Sequence, residues 1–191
     1  MSKQAWKPST LLYPVPVVMV TCADGSGKPN IITLAWAGTV NSEPPMISIS
    51  VRKERYSHRL IKDRGEFAAN LPVEKLAYAA DLCGVKSGRD VDKFQAAGLT
   101  PEKASLIDVP IIKECPVSLE CKVKNMLELG THDMFIAEIV AVDVDEGLLD
   151  DRGRLNLENA GLICYSHGNY RALGKNLGFF GYSVAKKNVN R

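Results

Sequence analysis

The chain has 191 residues, of which 46% are hydrophobic and 24% are charged, and its formal net charge is +2. These values are typical of a soluble globular domain, and they exclude a disordered chain, a collagen-like chain and a coiled coil. The small net charge provides no overall electrostatic field that would attract nucleic acid. An aromatic share of 7% provides few side chains on which nucleic-acid bases could stack.

The five cysteines and three histidines are scattered without a CxxC pair. The sequence therefore predicts neither a disulfide framework nor a metal site. Residues 1–8 lack the apolar core of a signal peptide, and the apolar run Val15–Val20 is far shorter than the ~20 residues that cross a membrane. We therefore expect a cytoplasmic protein with no membrane partner.

Short segments of alternating polar and apolar residues predict β-strands along most of the chain. In chain order they are Val15–Cys22, Ile31–Ala37, Met46–Val51, Phe67–Leu71, Val117–Lys124 and Met134–Val144. The glycines at 25 and 27 predict a hairpin between the first two strands. The last strand is apolar on both faces except at Glu138 and Asp143, which is typical of a closed barrel or a subunit interface.

Three short helices are predicted between these strands. The first begins with Ser57 as N-cap and runs to Arg64, where Gly65 ends it. The second begins near Pro72 and ends at Gly84, and a third, weaker one covers residues 90–97.

The arrangement of these elements predicts the fold class. Strands without regular helix alternation favour a mainly β protein with inserted helices, a Greek-key or split barrel, over a doubly wound sheet. We expect one domain spanning residues 1–191, with residues 175–191 as an irregular C-terminal tail.

The segment Arg52–Arg59 carries the strongest local charge, with four basic residues and one acidic residue. It joins a predicted strand to the start of a predicted helix, where free N–H groups and the helix dipole favour an anion. Arg52 and Ser57 add a guanidinium and a hydroxyl, so the segment suits a phosphate monoester. A solvated basic turn would have the same composition.

Two further segments could serve the same ligand. The loop Ser87–Phe94, with Ser87 and Lys93, can bind an anion from a second side, or it is a charged loop with a helix cap at Asp90 or Asp92. The segment Asn30–Thr39 mixes small and polar residues around Trp36, so that a flat ring could approach its backbone; the alternative is an inner strand with a core tryptophan. The sequence lacks GxGxxG, GxxxxGK[ST], GxSxG and HExxH, so a nucleotide would not be held on a Rossmann turn.

Taken in order, these segments resemble the flavin reductase-like, FMN-binding split-barrel family, and within it the flavoredoxin-type branch. Each segment is weak alone, but the series is specific. The resemblance runs from about residue 10 to 175 and rests on Tyr13–Val17, Asn30–Trp36, Pro44–Arg52, Tyr56–Ser57, Gly65–Pro72, Ser87–Gly88, Asp92–Phe94, Gly130–Asp133 and Tyr170–Gly174.

The resemblance implies a six-stranded antiparallel split barrel, a homodimer, and non-covalent FMN near the subunit interface. It implies no metal. His132 matches the family position near the reacting face of the flavin, although Thr131 departs from the commonest form of that motif, and a turn histidine is the alternative. The residues assigned to the cofactor are Asn30, Thr33, Ala35 and Trp36 for the ribityl chain and ring, Ser50, Arg52, Ser57, Ser87 and Lys93 for the phosphate, and Asn70 close to the cofactor.

Three functions are compatible with these observations. The leading hypothesis is an oxidoreductase in which FMN passes electrons to free flavin, ferric iron or a protein partner, with NADH, NADPH or a redox protein as donor. No general acid or base is required for this chemistry because the ring performs it. The alternatives are a flavoredoxin-type electron carrier without a substrate reaction, and a barrel that binds single-stranded nucleic acid, which the charge and the aromatic content disfavour.

Overall fold

The computed structural model describes residues 1–185, in which twelve strands and three α-helices are assigned. The strands are β1 (Val15–Pro16), β2 (Val18–Ala23), β3 (Pro29–Leu34), β4 (Ala37–Asn41), β5 (Met46–Arg52), β6 (Glu66–Leu71), β7 (Pro101–Glu102), β8 (Ile111–Ile112), β9 (Val117–Glu128), β10 (His132–Val144), β11 (Ile163–Ser166) and β12 (Asn169–Ala172). The helices are α1 (Tyr56–Arg64), α2 (Ala77–Val85) and α3 (Lys93–Ala97). Short 3₁₀ turns occupy Glu74–Leu76, Glu146–Leu148 and Leu157–Ala160.

One antiparallel sheet contains most of the long strands, in the order β3-β2-β6-β9-β10-β5-β4. Its two edge strands, β3 and β4, are consecutive in the chain and are separated only by Ala35 and Trp36. Because such a connection spans roughly 11 Å at most, the two edges must meet and the sheet must close. The predicted split barrel is confirmed, and it has six strands when β3 and β4 are counted as one bent strand.

The order β6-β9-β10-β5 is the predicted Greek key. β6, β9 and β10 lie side by side in chain order, and β5, which precedes them in the chain, lies beside β10 and not beside β6. The hairpin between β2 and β3 is confirmed, with a turn at Asp24–Lys28. The single strand predicted over Ile31–Ala37 is wrong at its end, because the chain leaves β3 after Leu34 and starts β4 on the other edge.

The helix boundaries differ from the prediction at several places: α2 begins at Ala77, after a 3₁₀ turn, and not near Pro72, and α3 begins at Lys93 and not at residue 90. Arg55 precedes α1, so Ser57 lies inside the first turn and is not the N-cap. The end of α1 is as predicted, with Gly65 in the left-handed conformation at φ 72°. The second helix continues through Gly84 to Val85, and α3 is capped by Asp92, whose carboxylate accepts from the Gln95 amide.

The interior of the barrel is apolar, and α1 closes one side of it. Its fully buried members include Val20, Ile49, Phe67 and Phe135, with Ile61 of α1 packed among them. A second cluster fills the space between the sheet and α2, and it includes Met19, Ala80 and Cys83. The two clusters place β3 between α1 and α2, where residues from all three elements come together.

The C-terminal region is irregular after β12: residues 173–185 contain no helix or strand. Residues 186–191 of the predicted tail lie outside the described residues. No helix within residues 1–185 is long and apolar enough to cross a membrane. Within the same residues no three or more His, Cys, Asp and Glu side chains are grouped to hold a metal ion.

Candidate functional site

The closure of the barrel creates a cavity of about 350 Å³ where the chain passes from β3 to β4. We call it the aromatic cavity because the rings of Trp36, Tyr165, Tyr170 and His132 contribute to its wall. Six of the predicted site residues line it together, namely Thr33, Ala35, Trp36, Ser50, Arg52 and His132. The other lining residues are Val17, Ile32, Leu34, Arg55, Asp81, Gly84, Val85, Tyr165 and Tyr170.

The hydroxyl of Thr33 is the most informative polar group in this wall. Its Oγ1 is buried, yet it finds no hydrogen-bond partner among the described residues. A buried polar atom left unpaired is costly, so such atoms usually have a partner that the protein alone does not supply. The position of Thr33 in the cavity wall therefore points to a ligand with a polar edge.

A second cavity, of about 280 Å³, adjoins the first. We call it the basic cavity because its lining includes Arg55, Lys86, Arg89 and Lys93, against the single carboxylate of Glu54. The remaining lining residues are Ile32, Tyr56, Ser57, Ser87 and Gly88. Ile32 and Arg55 line both cavities, which makes Arg55 the cation at their junction.

The wall of the basic cavity is packed tightly around Asn30. The Asn30 amide donates a hydrogen bond to the Ser57 hydroxyl at 2.7 Å. A Cβ atom added to Gly88 would lie 2.0 Å from Asn30 Oδ1, so a larger residue would push the loop away from the strand. The glycine therefore lets the loop after α2 approach β3 and bring Ser87 opposite Ser57.

Lys93 is buried at the base of the basic cavity. Its ammonium donates to the carbonyl oxygens of Ile31 at 2.6 Å and Cys83 at 2.7 Å. Burial lowers the pKa of this lysine, while the thiols of Cys83 and Cys22 act in the opposite direction. Since an ammonium has three N–H groups, one donor remains for an anion.

The five residues predicted for the phosphate are divided between the two cavities. Ser57, Ser87 and Lys93 line the basic cavity, whereas Ser50 and Arg52 line the aromatic one. Arg52 forms an exposed ion pair with Glu54 at 3.4 Å. Arg55 and Arg89, which the sequence reasoning did not single out, replace Arg52 as arginines of the basic cavity.

Two predicted site residues, Asn30 and Asn70, line neither cavity: Asn30 is buried behind Ser57, and Asn70 lies in the interior. Asn70 is fully buried, and its amide donates to the Met19 carbonyl at 2.8 Å. Its Oδ1 accepts from the Ile112 N–H at 2.9 Å and the Ser118 hydroxyl at 2.7 Å. The side chain thus joins β2, β8 and β9 in the interior, away from both cavities. These hydrogen bonds give Asn70 a structural role, and its closeness to a cofactor stays a prediction.

His132 lies at the start of β10, opposite Arg52 of β5. Its Nδ1 is 2.9 Å from the Thr131 hydroxyl. The next residue, Asp133, is buried and accepts from His58 Nε2 at 2.8 Å. Burial alone would raise the pKa of Asp133, but the hydrogen bonds from His58 and Lys53 outweigh it and hold the pKa below its usual range. This hydrogen bond between His58 and Asp133 fixes the start of β10 against α1.

The aromatic cavity opens onto a broad groove of about 580 Å³, which we call the outer groove. It is lined by the N-terminal segment and by the strand ends around His132, and the two spaces share Ala35, Trp36, Ser50 and His132. The other lining residues are Ser9, Thr10, Leu11, Leu12, Val15, Ala37, Gly38, Thr39, Val40, Ser48, Leu129 and Met134.

The cysteines do not contribute reactive thiolates to the site. Cys22, Cys83, Cys115 and Cys121 are buried. Burial raises the pKa of Cys83 to about 11 and those of the other three to about 12. All four are therefore neutral thiols at pH 7.

The protein is thus a closed Greek-key barrel with an aromatic cavity and an adjoining basic cavity. These two cavities suit a ligand that has a planar ring and an anionic tail. Residues 10–174 match the family described as "Flavin reductase like domain". The chain belongs to this flavin reductase-like family, which confirms the resemblance drawn from its segments.

Three solved structures are similar to this chain over nearly its whole length. The flavoredoxin of Desulfovibrio vulgaris (Miyazaki F) is 34% identical with a TM-score of 0.89, covering 96% of this chain and 100% of that one. The flavoredoxin from Methanosarcina acetivorans is 29% identical with a TM-score of 0.87, covering 97% and 100%. The FMN-binding protein from Thermus thermophilus with bound 1-cyclohex-2-enone is 26% identical with a TM-score of 0.77, covering 94% and 98%.

The role of Asn70 leads to a prediction about stability. Asn70→Ala removes the acceptor of the buried Ile112 N–H and Ser118 hydroxyl and the side-chain bond to the Met19 carbonyl, so we expect the free energy of unfolding to fall by roughly 2–4 kcal/mol. Urea denaturation of the ligand-free protein measures this loss. Ser118→Ala, which removes one partner of the same amide, should cost roughly 1 kcal/mol. A fall for Asn70→Ala no larger than that for Ser118→Ala would contradict the structural role.

Proposed function

We propose that this protein binds FMN non-covalently and acts as a flavin-dependent oxidoreductase. The observation that carries the proposal is the junction of an aromatic cavity with a basic cavity at Arg55. A flavin mononucleotide has the matching chemistry: a planar ring system, a flexible polyol chain, and a phosphate of charge about −1.5 to −2. Similarity to an FMN-binding protein and to two flavoredoxins supports this assignment.

The basic cavity is suited to the phosphate. Arg55 provides a guanidinium for charge-assisted hydrogen bonds, and the remaining N–H of Lys93 provides another donor. Ser57 and Ser87 add hydroxyls from opposite walls. Because these donors are already held by the packing around Asn30 and by the carbonyls on Lys93, little ordering is needed when the anion binds.

The aromatic cavity is suited to the ring. Ala35 lets a flat ring approach the backbone, and Trp36 covers it from the side. The unpaired Thr33 hydroxyl is available to a polar edge of the ring, and Ser50 and His132 lie at the side that opens to the outer groove. A bound flavin would supply the electron and hydride chemistry, while these residues bind and orient it and leave one side accessible.

Tyr170 closes the opposite wall of the aromatic cavity as a protonated phenol. Its hydroxyl donates to the Asp81 carboxylate at 3.2 Å. Burial and the charge of Asp81 raise the pKa of Tyr170 to about 12, so it does not ionise near neutral pH. We propose that the Tyr170–Asp81 pair positions α2 against β12 and does not transfer a proton.

NADH or NADPH is the proposed electron donor, and free flavin or ferric iron the proposed acceptor. The outer groove leads to the shared residues Trp36, Ser50 and His132, so a donor could reach the ring from that side. A flavoredoxin-type carrier, reduced by a redox protein and without its own substrate reaction, is the second candidate. The 34% identity to a flavoredoxin over 96% of the chain supports this carrier as the second candidate.

We also propose that the protein functions as a homodimer, because apolar surface remains exposed around the outer groove. On β10, Asp133 and Phe135 face the interior, whereas Met134 and Ile136 on the other face are only half-buried. Leu127 and Leu129, at the neighbouring hairpin, are exposed. A strand with apolar residues on both faces needs a cover on each of them.

The C-terminal tail adds to this exposed apolar surface. Phe180 is fully exposed and Leu177 is 80% exposed, and Phe179, Tyr182 and Val184 are also in solvent. Aromatic side chains contribute about 150–250 Å² each, so the tail exceeds the few hundred Å² of apolar patch that a monomer normally shows. A second copy packed over the outer groove would cover both surfaces and shield the flavin ring.

Phosphate recognition can be tested by comparing FMN with riboflavin, which has the same ring and no phosphate. Arg55→Ala should weaken FMN binding by about tenfold or more, because a charge-assisted hydrogen bond to the phosphate is lost. Riboflavin binding should change much less, since the ring lies in the aromatic cavity. Fluorescence titration of the ligand-free protein gives both dissociation constants.

Lys62→Ala is the matched control for this experiment, because it removes an exposed positive charge from α1 outside the basic cavity. It should leave both dissociation constants unchanged. A parallel loss of FMN and riboflavin affinity in Arg55→Ala would remove Arg55 from the phosphate site. A failure of the parent protein to bind either flavin would refute the proposed function itself.

An anaerobic reduction experiment distinguishes the enzyme from the carrier. NADH or NADPH is mixed with the FMN-loaded protein, and the visible flavin absorption is followed by stopped flow. We expect bleaching within the time of a typical turnover, which is about 0.1 s at the median enzyme rate. An absorption that stays constant with both nucleotides, but falls with a reduced ferredoxin, would assign the protein as a carrier.

The dimer predicts the effect of a charge on the exposed hairpin. Leu129→Glu should raise the dissociation constant of the dimer by about tenfold or more, because a carboxylate would be desolvated at the contact. Sedimentation velocity over a range of concentrations measures it. Tyr78→Glu, at a more exposed position on α2, should leave the association unchanged. A parent protein that is monomeric at all concentrations would contradict the proposal.

A further inference from the structure

We propose that Tyr56 and Arg89 form a partition that ends the flavin site at the terminal phosphate, so that the protein selects FMN over FAD. This inference rests on the proposed function and adds the determinant of its cofactor specificity. The two residues line the basic cavity, and Tyr56 also lines a third cavity beyond it.

The partition joins two segments that are distant in sequence. The Arg89 guanidinium lies over the Tyr56 ring, with its central carbon 5.3 Å from the ring centroid. The same guanidinium donates to the Glu54 carbonyl at 3.4 Å. Arg89 therefore connects the loop after α2 to the turn before α1, and the stacked pair lies across one end of the basic cavity.

The loop that carries Arg89 is held close to Tyr56 by its own backbone. The N–H groups of Asp90 and Val91 both donate to the Ser87 carbonyl, at 3.1 and 3.2 Å. A Cβ atom added to Gly88 would lie 3.1 Å from Tyr56 Cδ1, in addition to its conflict with Asn30. The backbone at Gly88 thus already touches the ring, so the position of Arg89 follows from a packed turn.

The third cavity, which we call the side cavity, has a volume of about 440 Å³. It is lined by the turn after β2 and by the outer face of α1, including Asp24, Gly25, Arg59 and Arg64. Because Tyr56 lines both this cavity and the basic one, its ring is the wall between them. The three spaces therefore follow one another as aromatic, basic and side cavity, connected through Arg55 and Tyr56.

The difference between the two flavins lies at this wall. In FMN the phosphate is terminal, and its oxygens can be surrounded by donors on all sides. In FAD the same phosphate continues into a second phosphate and an adenosine, which require an exit from the basic cavity. With the ring placed in the aromatic cavity, the exit toward the side cavity is occupied by Tyr56 and covered by Arg89. An FAD molecule whose diphosphate continues toward the side cavity must displace the pair, whereas FMN keeps it.

The test compares the dissociation constants of FMN and FAD, measured by quenching of flavin fluorescence. We expect the parent protein to bind FMN at least about tenfold more tightly than FAD, because the stacked pair blocks the route of the diphosphate toward the side cavity. Arg89→Ala and Tyr56→Ala should each reduce the FAD-to-FMN ratio of dissociation constants by about fivefold or more, and the double variant should reduce it further. Tyr56→Phe keeps the ring and should keep the ratio.

Lys86→Ala is the matched control for the loss of charge, since Lys86 lines the basic cavity outside the stacked pair. It should weaken both flavins alike and leave their ratio unchanged. Tyr56 packs against the barrel core, so thermal unfolding is followed for each variant. Arg89 is exposed, and its variant decides the test if Tyr56→Ala does not fold.

Each outcome is informative. A parent protein that binds FMN and FAD equally, or a ratio unaffected by the folded Arg89→Ala variant, would overturn the partition and leave the proposed function intact. A ratio that falls to the same extent in Lys86→Ala would assign the selectivity to charge and also overturn the partition. If the parent binds neither flavin, the proposed function fails first.

Discussion

The two-residue connection between β3 and β4 is the constraint on which the rest of the structure depends. These strands form the opposite edges of one sheet, so Ala35 and Trp36 can join them only if the sheet closes. The seam is held by a hydrogen bond from the Ser50 N–H to the Trp36 carbonyl at 2.9 Å. Regular pairing is interrupted at this point, and the interruption leaves the space that becomes the aromatic cavity.

The electrostatics of the site follow from the packing against the seam. Helix α2 packs closely on β3 at Gly84, where an added Cβ atom would make a van der Waals contact of 3.4 Å with the Thr33 Cβ. The loop after α2 is thereby brought to the turn before α1, and their basic residues meet around one cavity. A chain with a net charge of only +2 can in this way concentrate four cations at a single place.

Local features of the fold were predictable from the sequence, and features that depend on closure were not. The β2–β3 hairpin and the end of α1 at Gly65 are encoded by turn residues, which act over a few positions. The break after Leu34 has no local signal, because the sequence that follows it is still apolar. The strand β3 ends there only because the barrel closes. The two-residue strands β7 and β8 are too short to show a period.

The candidate site shows the same division. Thr33, Trp36 and His132 were assigned to one cofactor through a resemblance, and the structure brings them into one cavity, although their roles stay predictions. The hydrogen bonds from Asn70 to three other strands could not be predicted, because a buried asparagine that joins strands and one that binds a ligand look alike in sequence. Arg55 was overlooked beside Arg52, since only the start of α1 decides which arginine turns toward the basic cavity.

The strand order also has a consequence for the growing chain on the ribosome. Residues 18–71 contain β2 to β6, including both edges of the seam, but β6 and β5 are joined only through the β9–β10 hairpin between them. Until about residue 144 has been synthesised, β5 and β6 each present an open strand edge. Such edges pair readily with other chains, so the nascent protein is most exposed to aggregation during the interval before β10 emerges.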